Sequence, residues 1–299
     1  MLGPTAAGKS AIAIALARRF GAHIVSVDSM QVYRGMDIGT AKPSPEERAA
    51  VPHHLIDIAD PADAFSVAEF QRAGRKVIAD GQSAGERILI VGGSGLHFRA
   101  LVDPLEFPPS DPVIRAEIET MPLTEAVQHL LAADAQAGSL VDLANPRRVV
   151  RALEVFRTTG ATPTTRSTTP EAEAIRSYRG LWPVAGIGVD PGPALGDRIR
   201  QRFVAMLAAG LQSEVELLAP RLGVTAAQGV GYRELLRVVR GEWTLDRATR
   251  TAIAATAALA RRQRTFHRRD PRVRWLEWDD EPSLVAGAAA VLEEAGWTS

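Results

Sequence analysis

Cysteine is absent from all 299 residues. That excludes a disulfide framework, Cys-ligated zinc and thiol catalysis. No apolar run reaches the ~18 residues that would suggest a membrane span. The N-terminus has no basic stretch followed by an apolar one, so no signal peptide is expected. A cytoplasmic protein without a membrane partner is the resulting expectation. Net charge is missing as well, because 35 basic and 35 acidic residues cancel. Any nucleic-acid partner therefore has to be argued from local patches. Lysine is scarce: only Lys9, Lys42 and Lys76 stand among the arginines. A lysine kept in such a chain draws attention to its position.

What is present is a chain that is 46% apolar, enough for a sizeable core, and longer than the usual single domain. Its first third alternates helix-like and strand-like segments. Ala11 to Phe20 has the pattern of a helix ending at Gly21, and His23 to Asp28 (HIVSVD) that of a buried parallel strand. Phe65 to Asp80 predicts a helix and Arg87 to Val91 (RILIV) a second buried strand. Such alternation implies an α/β fold with a parallel sheet and crossover helices.

A proline-rich break, Pro104 to Pro112, precedes a wholly helical stretch. One helix is expected over Leu123 to Gly138 and another over Pro146 to Thr159. The second has Asn145 as N-cap, Pro146 at the first helical position and Gly160 past its end. Strand character returns at Pro183 to Val189, then helices dominate. The expected organisation is a core over 1–109, a helical insertion over 110–178, and the core continued over 179–299.

Gly3-Pro4-Thr5-Ala6-Ala7-Gly8-Lys9-Ser10 fits G-x-x-x-x-G-K-[ST] and runs into a helix. Backbone N–H groups of such a loop, backed by a helix N-terminus, make a nest for phosphate oxygens. Lys9 would pair with the terminal phosphates and Ser10 would ligate Mg²⁺, the one cofactor expected. A loop of this kind should follow a strand, yet only Met1 and Leu2 precede Gly3. The loops at the carboxyl ends of parallel strands gather at one edge. Asp28 and Ser94, the latter in Gly92-Gly93-Ser94-Gly95, would then face the phosphate loop across one crevice.

Further segments occur in order: SVDSM (26–30), GMDIGTAKP (35–43), PHHLIDI (52–58), VGGSGL (91–96), NPRRVVRALE (145–154), VGYRE (230–234) and LARRQRT (259–265). Together with GPTAAGKS (3–10), this string closely resembles the bacterial tRNA dimethylallyltransferase family, over nearly the whole chain. The resemblance implies a P-loop α/β core with an inserted all-helical subdomain that grips the tRNA anticodon stem-loop. The loop would hold the diphosphate of dimethylallyl diphosphate. The acceptor would be the N6 amine of the adenine at tRNA position 37. Separately, a monomer is expected.

Carried over by motif, Asp28 matches the carboxylate at the reacting amine, and Asp28, Ser29, Met30 and Gln31 a tRNA-contact segment. Ser94 matches a hydroxyl at the site and Arg202 an arginine lining the diphosphate channel. Arg115, Arg147, Arg148 and Arg151 match tRNA contacts, as do Gly231, Tyr232 and Arg233, and Arg261, Arg262, Arg264 and Arg268. The chain departs from the family at His97, where tyrosine is usual, at Gly196, where an aromatic is common, and at Phe266, where tryptophan is usual.

Helical geometry adds to this. Arg147, Arg148 and Arg151 fall within about 100° of one helix face, and Arg261, Arg262, Arg264, Arg268 and Arg269 within about 160° of another. Such stripes suit phosphate contacts, which position RNA rather than read it. Three alternatives stay open: an enzyme using free adenine nucleotide as acceptor, a P-loop kinase, and a non-catalytic RNA-binding protein with a relic P-loop. Lys42 has no assigned role, and His53 and His54 are expected to be structural.

Overall fold

A computed structural model describes residues 1–298. In chain order the helices are α1 (Lys9–Phe20), α2 (Pro45–Ala50), α3 (Val67–Ser83), α4 (Gly95–Val102), α5 (Pro112–Glu119), α6 (Leu123–Ala133), α7 (Pro146–Thr159), α8 (Pro163–Ser167) and α9 (Pro170–Arg176). They continue with α10 (Leu195–Ala208), α11 (Leu211–Leu218), α12 (Tyr232–Val239), α13 (Leu245–His267) and α14 (Glu281–Glu294). The strands are β1 (Ala22–Val27), β2 (His53–His54), β3 (Arg87–Gly92), β4 (Gly186–Gly188) and β5 (Val273–Trp275). The chain divides into two compact units, Met1–Leu101 with Pro183–Ser299, and Val102–Trp182. The second is wider at both ends than the expected 110–178.

The first unit is built on parallel pairing. One sheet runs β2-β1-β3 and another pairs β4 with β5. Leu2 bridges Gly92 and Gly188, both in parallel, and so stands between the two sheets. Its amide donates to the Ile187 carbonyl (2.8 Å) and its own carbonyl accepts from Val189 N–H (2.9 Å). The apolar core lies between the β1/β3 strands, α1 and α14, with Ile12, Leu16, Ile24 and Leu89 against Leu284 and Leu292. The expected strand over Pro183 to Val189 shortens to three residues, because only Gly186–Gly188 find partners in β5.

The second unit is all helical. Ile118, Leu130, Val149 and Leu153 from α5, α6 and α7 form its core. Helix α7 starts and ends as its sequence dictates. The Asn145 side chain accepts from Arg148 N–H, and Gly160 closes the helix in a left-handed conformation. The helix expected over Leu123 to Gly138 stops early, at Ala133. Asp134 turns extended, and its carboxylate takes the Thr164 amide (2.8 Å), the Thr164 hydroxyl (2.7 Å) and the Gln136 amide (3.1 Å). Those bonds favour a carboxylate outside the helix over one more helical turn.

Candidate active site

The carboxyl ends of β1 and β3 and the loop before α1 meet in the first unit. A cavity of about 410 Å³ there is lined by Thr5, Ala6, Asp28, Ser29, Met30, Ser94, Arg202 and Arg262 among polar or loop residues. Its apolar wall comes from Ile199, Phe203 and Met206 of α10, with Leu259 and Phe266 of α13. A smaller neighbouring pocket of about 90 Å³ adds Lys9, Ser10 and Gln31, and shares Thr5, Asp28 and Arg202 with the larger one. The sequence-predicted phosphate loop, Asp28, Ser94 and Arg202 therefore surround one connected space.

The loop 3–10 is held from two sides. Gly8 adopts φ +83° ahead of α1, a conformation suited to glycine. From one side Arg198 Nε donates to the Ala6 carbonyl (2.8 Å) while its guanidinium stacks over Trp278. From the other, the Thr5 amide donates to Gln263 Oε1 at 2.8 Å. Lys9 Nζ folds back on the loop and donates to the Pro4 carbonyl at 2.6 Å.

Electrostatically, this space is unbalanced. Among the described residues neither Lys9 nor Arg202 forms an ion pair. Burial, and then repulsion from Arg202, push the Lys9 ammonium down to about 7 against the opposing pull of Asp28. Burial likewise lowers Arg202, with Asp28 opposing. Two cations without a paired carboxylate, lining a cavity, are arranged to receive an anion.

Asp28 lies one residue past β1. Its Oδ1 accepts from the amides of Met30 (2.8 Å) and Gln31 (3.3 Å), a local turn that fixes the carboxylate. Oδ2 has no hydrogen-bond partner among the described residues. Ser94 Oγ lies 2.7 Å from His97 Nδ1.

The oxygen donors that line the pocket with Lys9 include the Ser10 hydroxyl and the Asp28 carboxylate. Among the described residues no group of three His, Asp or Glu side chains could hold a metal. That set fits Mg²⁺ bound chiefly through diphosphate oxygens and water, the usual habit of this ion at phosphate sites, and not an all-protein cage.

Helix α13 covers the loop that carries Ser94. An added Cβ on Gly93 would lie 2.5 Å from Gln263 Nε2, and one on Gly95 would lie 2.0 Å from the Phe266 ring. Glycine at both positions is what allows the helix to approach. Buried His267 adds a bond from Nε2 to the Gly93 carbonyl (3.0 Å), and burial lowers its pKa.

Gln263, Arg198 and His267 were not singled out from the sequence. Gln263 lies inside LARRQRT, and Arg198 sits one helical turn before Arg202. Both signals were present in those spacings.

Several residues expected to contact RNA are engaged within the protein. Gln31 accepts from the Ser26 hydroxyl and donates to the Thr40 and Ala41 carbonyls. Tyr232 lines the cavity but is buried, its phenol donating to Glu214 at 2.5 Å. That same carboxylate accepts from the amides of Asp37, Ile38 and Gly39, at 3.0, 2.7 and 3.1 Å. Arg233 pairs with Glu234 (2.6 Å), Arg264 with Asp190 (2.6 Å), and Arg268 with Asp190 (3.2 Å). Arg261 and Arg262 stay exposed and form no ion pair among the described residues.

In the second unit, Arg115 pairs with Glu119 (2.9 Å). Arg151 donates to the Pro108 carbonyl (2.6 Å) and pairs with buried Glu154 (2.8 Å). Arg147 and Arg148 are exposed beside a groove of about 730 Å³ that Arg151 and Arg166 also line. Lys42, unassigned from sequence, is buried and holds Asp37 (2.7 Å), Asp57 (2.5 Å) and the Tyr33 carbonyl (2.6 Å), a structural role.

The sequence model of the IPP transferase family matches residues 31–270. The chain belongs to the IPP transferase family. It is 44% identical over 305 residues to the tRNA dimethylallyltransferase of Bifidobacterium longum (strain NCC 2705), covering 99% of this chain and 90% of that one. The crystal structure of a tRNA delta(2)-isopentenylpyrophosphate transferase from Staphylococcus epidermidis superposes with TM-score 0.71 at 29% identity, covering 99% and 98% of the two chains. A eukaryotic dimethylallyltransferase acting on tRNA gives TM-score 0.82 over 99% of this chain and 79% of its own, at 22% identity, and so shares the fold. Among the described residues no helix is long and apolar enough to cross a membrane.

Proposed function

We propose that this IPP transferase moves a dimethylallyl group from dimethylallyl diphosphate to N6 of the adenine at position 37 of tRNA, releasing diphosphate. Residues 3–10 act as a P-loop for the diphosphate, and the helical unit 102–182 helps hold the anticodon stem-loop. The observation that carries this reading is the pairing of two uncompensated cations, Lys9 and Arg202, with an apolar wall in one cavity beside Asp28. A diphosphate needs the cations, and a five-carbon chain needs the wall.

Lys9, Arg202 and the loop amides stabilise charge as it gathers on the leaving diphosphate. Mg²⁺, held by the diphosphate with Ser10 contributing, would add Lewis-acid stabilisation of the same charge. The allylic carbon tolerates positive charge, so departure of the diphosphate is most of the barrier. Asp28 Oδ2 takes the proton that N6 must lose as it bonds, while Oδ1 stays in its turn. The adenine has to leave its stack to reach this site, which is easier in a single-stranded loop. Exposed Arg147, Arg148, Arg261 and Arg262 are the best candidates for backbone contacts.

The test is transfer of labelled dimethylallyl groups to tRNA with adenine or guanine at position 37, with free AMP and Asp28→Ala as controls. Label on the adenine tRNA alone, lost in the variant, supports the reading. Transfer to AMP in preference to tRNA replaces it with the free-nucleotide one.

A further inference from the structure

The contact between Ser94 and His97 is not used by the reaction described above. Ser94 opens α4 and lines the cavity, and its Oγ lies 2.7 Å from His97 Nδ1 in the first turn of the same helix. The imidazole is held edge-on by buried Phe70 of α3, with ring centroids 4.6 Å apart and planes at 80°. It is therefore fixed relative to Ser94.

We infer that His97 is a positioning residue that takes the Ser94 hydroxyl proton into a hydrogen bond, so that Ser94 presents only lone pairs to the reacting amine. The inference rests on the prenyl-transfer reading above and deepens it. A hydroxyl has one hydrogen to give. Once that hydrogen points at Nδ1, Oγ can only accept from the cavity. This requires the neutral ring with its proton on Nε2. Burial favours a neutral ring by lowering its pKa, against a smaller opposing effect of Asp28.

Asp28 completes the arrangement, because its Oδ1 is taken by two backbone amides and Oδ2 is left for the cavity. The cavity then offers two acceptors, Asp28 Oδ2 and Ser94 Oγ. An adenine N6 amine carries two N–H donors and satisfies both. A guanine O6 carries none and would leave two acceptors facing an oxygen, the mismatch that polar sites reject most strongly. In the reaction, N6 bonds to C1 of the dimethylallyl group as the C1–O bond breaks, its electron pair leaving on the diphosphate. One N6 proton goes to Asp28. The other stays on nitrogen, hydrogen-bonded to Ser94.

The experiment compares kcat and KM for His97→Phe, His97→Asn, Ser94→Ala and the Ser94→Ala, His97→Phe double variant, using tRNA with adenine at position 37. Loss of one aligned hydrogen bond should lower kcat of His97→Phe about tenfold, with KM for the diphosphate unchanged. His97→Asn, whose Oδ1 can stand near the Nδ1 position, should recover most of the rate. The double variant should be no worse than Ser94→Ala. Additive losses in the double variant, or an unimpaired His97→Phe, overturn the inference. Nitrogen-15 NMR of the wild-type ring gives a reading independent of turnover. An unprotonated Nδ1 supports the pairing, and a protonated Nδ1 overturns it. Absence of transfer by a wild-type protein with unprotonated Nδ1 would instead remove the function proposed above while leaving the hydrogen bond in place.

Discussion

Raising the pH above neutrality should weaken diphosphate binding while the Lys9 contribution to fold stability grows. Burial and Arg202 hold the Lys9 ammonium down to about 7, far below the usual lysine range. In the unfolded chain the same group keeps its proton to about pH 10.4. Between these values the unfolded state binds more protons, so the Lys9 contribution to stability rises with pH. Bound diphosphate acts in the opposite direction, because an adjacent anion draws the lysine back toward its charged form.

Binding in this window must therefore take up a proton. With half the Lys9 protonated at pH 7, affinity should fall about fivefold by pH 8 and about fiftyfold by pH 9. The ligand adds little to this slope, since the last ionisation of a phosphate monoester lies near pH 6. Calorimetric titration with dimethylallyl diphosphate, in buffers of different ionisation enthalpy, reads affinity and proton uptake together. Uptake should be about half a proton at pH 7 and about 0.9 at pH 8. Lys9→Gln should bind weakly with no such slope. A flat affinity from pH 7 to 9 without proton uptake would refute the account of Lys9 as a buried, unpaired cation.

Asp28→Asn keeps an oxygen for the Met30 and Gln31 amides but loses the base, so kcat should drop by about 10²–10⁴ with the melting temperature unchanged. Glu214→Gln places an N–H₂ group among donors it cannot satisfy. Chemical denaturation should show a loss of about 2–3 kcal/mol, and Tyr232→Phe a smaller one. Lys42→Met leaves Asp37 without its lysine partner, Asp57 with Arg48 alone and the Tyr33 carbonyl without its donor, which should cost about 1–2 kcal/mol in the same assay. Although burial alone would raise the Asp57 pKa, hydrogen bonds from Lys42 and Arg48 hold it below the usual range. The Asp57 contribution to stability is thus full above about pH 3.9 and is lost as pH falls through the depressed value. An acid titration of Lys42→Met should show that loss reduced.

The parts of the site that sequence made legible are those whose chemistry is local. The loop 3–10, Asp28 at a strand end and the caps of α7 each depend on neighbours within a few residues. Helix α6 was overextended because its stop is set by Thr164, thirty positions away from Asp134. Of the arginine stripe read as one helical face, Arg261, Arg262 and Arg264 lie on α13, while Arg268 caps its end and Arg269 lies beyond it. The stripe's angular spacing could not reveal that Asp190 takes two of the five, Arg264 and Arg268. Gln31 stands directly after SVDSM and Tyr232 inside VGYRE, and a motif does not separate a residue that touches a ligand from one that shapes the cavity. Lys42 illustrates the same limit from the other side. Its rarity marked it, but its partners Asp37 and Asp57 come together only through the fold.

Helix α13 supplies Gln263 to the Thr5 amide, His267 to the Gly93 carbonyl and Phe266 to the cavity wall, so one rigid element spans the phosphate loop and the loop bearing Ser94. The next positions on that helix, Arg261 and Arg262, are exposed cations without a protein partner among the described residues. A polyanion held by those arginines is therefore connected through less than two helical turns to the amide network around the diphosphate. Without such an element, the acceptor and donor substrates would be positioned by separate loops. With it, the register between them is set by the spacing of residues 261 to 267 on one helix.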